Sequence, residues 1–181
     1  ALWQGTTVIA DRYIFTALAR DAARGLAFDW LLHVYAPLFW PDVVFYFSVS
    51  PETSGMRIAA TRTPKFYEAG QDVTGLDDPF ASYTKFISRV IREYDALALV
   101  FRFITIDANV AYTHSEFDQT GIIIDDSEFN GVSFVVAIRH TINSNMTQNL
   151  RGARTVSPGF GSNFNDLTVL QYGLSWRMNS F

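Results

Sequence analysis

Residues 43 to 49, VVFYFSV, form a near-continuous apolar run, the pattern of a strand buried on both faces. A shorter run, Thr7 to Ala10, precedes an Asp-Arg pair and a helical stretch, and a third, Phe103 to Asp107, follows a long helical pattern. In that pattern Phe80, Tyr83, Phe86, Ile87, Val90, Tyr94, Leu97 and Phe101 recur at helical spacing. Asp77 and Asp78 offer it a cap, and Pro79 suits its first turn. The alternation of strand and helix predicts an α/β layer with parallel strands over residues 1–108. Ligands of such sheets gather beyond the carboxyl ends of the strands, where Asp11, Arg12, Ser50 and Asp107 are expected.

From residue 109 the period becomes two, and Asn, Ser, Thr and Gly replace lysine. Residues 132–142, VSFVVAIRHTI, alternate Val132, Phe134, Val136 and Ile138 against Ser133, Val135, Ala137 and Arg139. A turn at 143–145, a weaker strand from Met146 to about Val156, a glycine-rich loop and the alternating LTVLQYGLSWRM complete the chain. In the last segment Leu170, Tyr172, Leu174, Trp176 and Met178 share one face. The expectation is a second segment, 109–181, folded as an antiparallel β-meander.

Composition narrows the choice of chemistry. The length of 181 residues suits one ordinary domain or two small ones, and 16 phenylalanines supply a core. With no cysteine, disulfides, zinc thiolates and thiol catalysis are excluded. His33, His114 and His140 match no metal-ligand spacing. A formal charge of -4 argues against a nucleic-acid partner. No secretory signal is visible, and Asp29, His33, Pro37, Pro41 and Asp42 prevent residues 28–49 from forming a membrane-spanning helix. The acidic stretch DQTGIIIDDSE, 118–128, fits no calcium loop and reads as a solvated turn.

The candidate chemistry lies in the first half. Arg12, at a strand end, can hold a monophosphate by a bidentate contact, whereas the bland reading of the Asp11-Arg12 pair is an ion pair or strand-end cap. Arg57 and Arg62, five residues apart, would not share a helical face, which puts Arg62 in a loop beyond the helix end. The ordered series DRY, PDVVFYFSVSPE, MRIAATR, KFYEAG, FISRVIREYDALA and FITIDA resembles the later part of a bacterial thymidylate kinase, over about residues 3–108. The resemblance implies a partial P-loop-kinase-like parallel sheet with helices, followed by the antiparallel meander. It implies that Arg12 and Tyr13 bind a dTMP-like nucleoside monophosphate, and that Asp11 serves Mg2+ through water or orients the attacking oxygen. Arg57 and Arg62 become lid arginines, with a solvated basic turn as the alternative. Thr16, Arg20 and Asp21 take the positions beside the base, although Arg-Asp stands where the family has Tyr-Gln; an exposed salt bridge is the alternative.

Mg2+ and ATP are the cofactors that the resemblance implies. The ATP-cradling motif G-x-x-x-x-G-K-[ST] occurs nowhere in the sequence, because Lys65 follows Pro64 and Lys85 follows Thr84. The expectation is therefore a phosphotransferase fragment that keeps the acceptor and lid elements and is inactive alone. Residues after 109 resemble the closing strands of a bacterial outer-membrane β-barrel, with Phe181 out of phase. That leaves a structural membrane segment, or a composite of two unrelated pieces, as alternatives. The first half implies a cytoplasmic setting and the second half an outer-membrane one.

Overall fold

A computed structural model describes residues 4–115, 129–158 and 164–178. The acidic stretch 118–128, much of the glycine-rich loop and Phe181 lie outside the described residues. The chain divides into two compact units, the first Ala1–Val43 with Val49–Phe101 and the second Val44–Ser48 with Arg102–Phe181.

The first unit is helical: α1 Ile14–Ala22, α2 Phe28–Tyr35, α3 Pro51–Ala59, α4 Phe66–Ala69, α5 Gln71–Thr74 and α6 Pro79–Val100. Helix α6 is its axis and packs against α1, α3, α4 and α5. It begins where the sequence indicates. The Asp78 carboxylate accepts from the backbone N–H groups of Phe80 at 3.3 Å and Ala81 at 3.0 Å, and Pro79 follows. Helix α3 starts the same way, with Ser50 Oγ accepting from the Thr53 N–H at 3.2 Å and Pro51 next. On α6 Tyr83, Phe86, Val90 and Leu97 are buried, as are Ile14, Phe15, Leu18 and Ala19 of α1. Phe15 also meets Trp40 and Phe101, whose rings stack at 5.2 Å. Ser82, fully buried on the same helix, is no flaw in the stripe: its hydroxyl bonds the Ala69 carbonyl at 2.8 Å and Thr74 Oγ1 at 2.5 Å.

The second unit is one sheet of order β1-β2-β3-β4-β5, comprising β1 Phe45–Ser48, β2 Ile104–Ser115, β3 Phe129–Asn143, β4 Met146–Pro158 and β5 Phe164–Trp176. Strands β1 and β2 run parallel, with Phe45 opposite Ile104 and Ser48 opposite Asp107. The other ladders are antiparallel. The α/β class and the meander are thus both present. The turn between β3 and β4 is closed by Asn143, whose side-chain oxygen accepts from the Asn145 N–H at 2.9 Å.

Three expectations change. Thr7–Ala10 is not a strand: it has no ladder partner among the described residues, and Ile9 is 94 % exposed. An apolar run becomes a strand only when a neighbour supplies the hydrogen bonds. Asp107 does not end its strand, because pairing with β3 carries β2 on to Ser115. The run VVFYFSV is not a strand buried on both faces: β1 spans only Phe45–Ser48, and Phe45 and Phe47 are 60 % and 70 % exposed. No helix is long and apolar enough to cross a membrane among the described residues.

Gly70 is the tightest point of the helical unit. It sits at φ 68°, closing α4 and opening α5, and a Cβ there would overlap the Phe86 side chain. Gly70→Ala combines left-handed strain with overpacking of a buried ring, so chemical denaturation should show a loss of about 2–4 kcal/mol. A loss below about 0.5 kcal/mol would refute this packing.

Candidate functional site

The segment leading into α1 places Asp11, Arg12 and Tyr13 on the surface. Arg12 has φ 53°, a left-handed conformation that costs a non-glycine residue about 1–2 kcal/mol. Strain of this kind gathers at functional positions, where surrounding structure holds it. Asp11 and Arg12 are not an ion pair within 4.0 Å, and neither side chain has a hydrogen-bond partner among the described residues.

The neighbourhood of Arg12 is set by α1 and α6. Tyr94, on α6, donates its hydroxyl proton to Thr16 Oγ1 on α1 at 2.7 Å. Burial pushes the Tyr94 phenol up in pKa, while the Thr16 hydrogen bond and the charges of Arg12 and Arg20 pull it partly back. Arg12, Thr16, Arg20 and Tyr94 therefore share one electrostatic environment. Helical periodicity marks Tyr94 only as an apolar position and gives no hint of its hydroxyl's role.

Arg20 and Asp21, neighbours in sequence, turn to different partners. Arg20 lies over the Phe86 ring at 5.1 Å and donates to the Tyr67 carbonyl at 3.2 Å. Arg24 lies over the same ring at 4.6 Å, donates to the same carbonyl at 2.8 Å and pairs with Asp72 at 3.0 Å. Burial, and then the Arg24 charge, lower the pKa of Arg20. Asp21 accepts from the Tyr35 hydroxyl at 3.2 Å. A salt bridge between Arg20 and Asp21 is not formed, because adjacent helical residues do not face each other.

Arg57 lies exposed in the last turn of α3, and Arg62 follows in the loop beyond it. The Arg62 guanidinium holds Glu68 in a two-pronged contact of 2.7 and 2.8 Å, and Glu68 also accepts from the Lys65 N–H at 3.2 Å. Glu68 in turn feels the Arg20 charge, so the loop and α1 are linked through it. The motif KFYEAG contains Glu68, but nothing in its spacing singles out the acid.

A lone exposed carboxylate such as Asp11 suits Mg2+, which commonly takes one or two carboxylates together with substrate phosphates. No group of three metal-ligating side chains is assembled among the described residues. An ATP cradle does not fit them: Lys85 Nζ donates to the Thr74 carbonyl at 3.2 Å, and Lys65 leads into α4 without a glycine-rich loop before it.

The thymidylate kinase family model matches residues 1–116. A probable thymidylate kinase 2 of Saccharolobus solfataricus is 41 % identical over 110 residues, 60 % of this chain and 52 % of that protein. A thymidylate kinase of Schizosaccharomyces pombe is 32 % identical over 111 residues, 59 % of this chain and 45 % of the relative. One from Dictyostelium discoideum is 40 % identical over 53 residues, 29 % of this chain and 24 % of the relative. The chain spans about half the length of the first two. These relatives are archaeal and eukaryotic, so a specifically bacterial affiliation is not supported. The match to the family model covers β2 and ends just after it, and an outer-membrane assignment for the later strands gains no support.

The Arg62 contact gives a pH prediction. The Arg62 hydrogen bond draws the Glu68 pKa down from 4.5 to about 2, against opposing burial. A depressed carboxylate stabilises the fold above its unfolded pKa and loses that contribution as pH falls through its folded pKa, here between about pH 4.5 and 2. Arg62→Ala should return Glu68 towards 4.5 in a carboxyl-carbon NMR titration. An unchanged midpoint would show that Arg62 is not the cause.

Proposed function

Since this chain belongs to the thymidylate kinase family, we propose that it carries the phosphate-acceptor and lid side of a nucleoside-monophosphate phosphotransferase, with a dTMP-like acceptor. The observation that carries this reading is Arg12: charged, exposed, without a protein partner among the described residues, and held at φ 53° where a strained backbone needs a reason. Its guanidinium fork matches two oxygens of a phosphate monoester. Asp11 beside it orients the attacking phosphate oxygen or holds a water of the Mg2+ shell. Tyr13 and Thr16 face the nucleoside, and the Tyr94 hydroxyl fixes the Thr16 rotamer. Arg20 and Asp21 serve the acceptor as its wall rather than as readers of the base, because both are already committed to neighbouring groups.

Arg57 and Arg62 are the lid arginines of this reading. Arg57 is available as it stands, whereas Arg62 must exchange Glu68 for the transferring group. When bound, Mg2+ and ATP supply the phosphoryl group and neutralise its charge. Residues 1–108 form the functional segment in this proposal, residues 109–181 a structural one, and the setting is cytoplasmic.

The acceptor role is tested by calorimetric titration of dTMP into the chain and into Arg12 variants. Arg12→Ala should weaken binding about tenfold or more, the loss expected for a charge-assisted contact worth ~1.5–3 kcal/mol. Arg12→Gly should weaken it equally while raising stability by up to about 1 kcal/mol, because glycine accepts the left-handed backbone. Wild-type affinity in both variants would sink the assignment.

A further inference from the structure

Strands β2 to β5 bring a polar group together that plays no part in the proposed acceptor site. Asp107, Ala137, Arg151 and Gln171 stand opposite one another on successive strands, as do Arg139, Asn149 and Gly173 on the neighbouring rung. Side chains directly opposite, and those two positions along, share a face of the sheet. These residues line a cavity of about 250 Å³. Ala137 and Gly173 put almost no side chain into it, and a Cβ added at Gly173 would meet nothing within 4 Å.

Electrostatics identify what belongs there. Arg139 and Arg151 are diagonal neighbours across β3 and β4, so both side chains rise from one face of the sheet. Neither they nor Asp107 form an ion pair within 4.0 Å or a side-chain hydrogen bond among the described residues. Two unneutralised cations over a hollow favour an anion able to engage both forks, which is the geometry of a phosphate. The Asn149 and Gln171 amides add neutral donors, and Asp107 adds an acceptor for a hydroxyl group. The volume falls short of the roughly 300–1,000 Å³ usual for drug-sized ligands, which suits a small phosphate monoester better than a nucleotide.

We propose that the cavity on this face of β2–β5 is a binding site for a small hydroxylated phosphate monoester, with Arg139 and Arg151 gripping the phosphate and Asp107 receiving a hydroxyl. The site draws on none of the acceptor residues, so it stands or falls independently of the kinase reading.

Glycerol 3-phosphate is a suitable probe, with glycerol and with potassium chloride at equal ionic strength as controls. In backbone amide NMR spectra of the full chain, Ala137, Asn149 and Gly173 should shift saturably with glycerol 3-phosphate and with neither control. Arg139→Gln and Arg151→Gln, changes at exposed positions, should each weaken the response about tenfold, while Arg12→Ala leaves it unchanged. Asp107→Asn should weaken glycerol 3-phosphate binding but not that of inorganic phosphate. The proposal is overturned if these amides fail to shift, if chloride shifts them equally, or if the response survives both glutamine variants.

Discussion

The helical unit depends on how the Phe86 ring is enclosed. The ring is fully buried, with the Gly70 backbone so close that a single added carbon would overlap it and with the guanidinium planes of Arg20 and Arg24 over it. One aromatic side chain on α6 thereby fixes α1, through Arg20, the turn after it, through Arg24, and the α4–α5 junction, through the glycine. The same arginines donate to the Tyr67 carbonyl of α4, so the cation–π contacts and the hydrogen bonds close one circuit. Each cation–π contact is worth about 0.5–2 kcal/mol. Their main effect is to hold the guanidinium groups still, which keeps the Arg20 charge beside Tyr94 and Glu68.

Periodicity made much of this fold legible. The Asp78-Pro79 start and the pairing of β3 are local patterns that were recovered, and of the α6 stripe Tyr83, Phe86, Val90 and Leu97 are buried while Phe80 stays exposed. What depends on a distant partner was not legible. Thr7–Ala10 reads as a strand because it is apolar, yet a strand is defined by a ladder that no local pattern contains. Ser82 interrupts the α6 stripe as a polar residue, and only the Ala69 carbonyl and Thr74 hydroxyl explain how it can be buried. The acceptor candidates were legible as residue types, but their commitments were not. Arg20 and Asp21 suggest a pair by adjacency, whereas helix geometry points them apart.

The sheet shows how far alternation alone can mislead. Leu170, Tyr172, Leu174 and Trp176 do share a face, and all four are more than half exposed. Apolar alternation of that kind resembles a lipid-facing strand, but among the described residues the five strands pair in a linear series and nothing supports a membrane assignment. The opposite face carries the more specific chemistry. Asp107, expected at a strand end, lies instead within β2, because the antiparallel strand β3 prolongs it. That extension aligns Asp107 with Arg151 and Gln171 across the sheet, an alignment set entirely by register.

Charge is distributed unevenly around the acceptor residues, and the unevenness bears on mechanism. Arg24 is paired with Asp72, Arg62 is held by Glu68, and Arg20 is lodged against Phe86 and a carbonyl. Arg12 has no comparable partner among the described residues, and it is also the one of these four on a left-handed backbone. The left-handed backbone is a cost that a glycine would remove, whereas the exposed guanidinium is hydrated and costs the fold little. In the proposed reading the left-handed backbone aims the Arg12 guanidinium, and its partner arrives with the acceptor phosphate. Arg62 is the complementary case, since its charge is already answered by Glu68. In that reading Arg62 delivers its charge only when the incoming phosphate displaces the Glu68 carboxylate, which the Arg62 hydrogen bond holds well below its usual pKa.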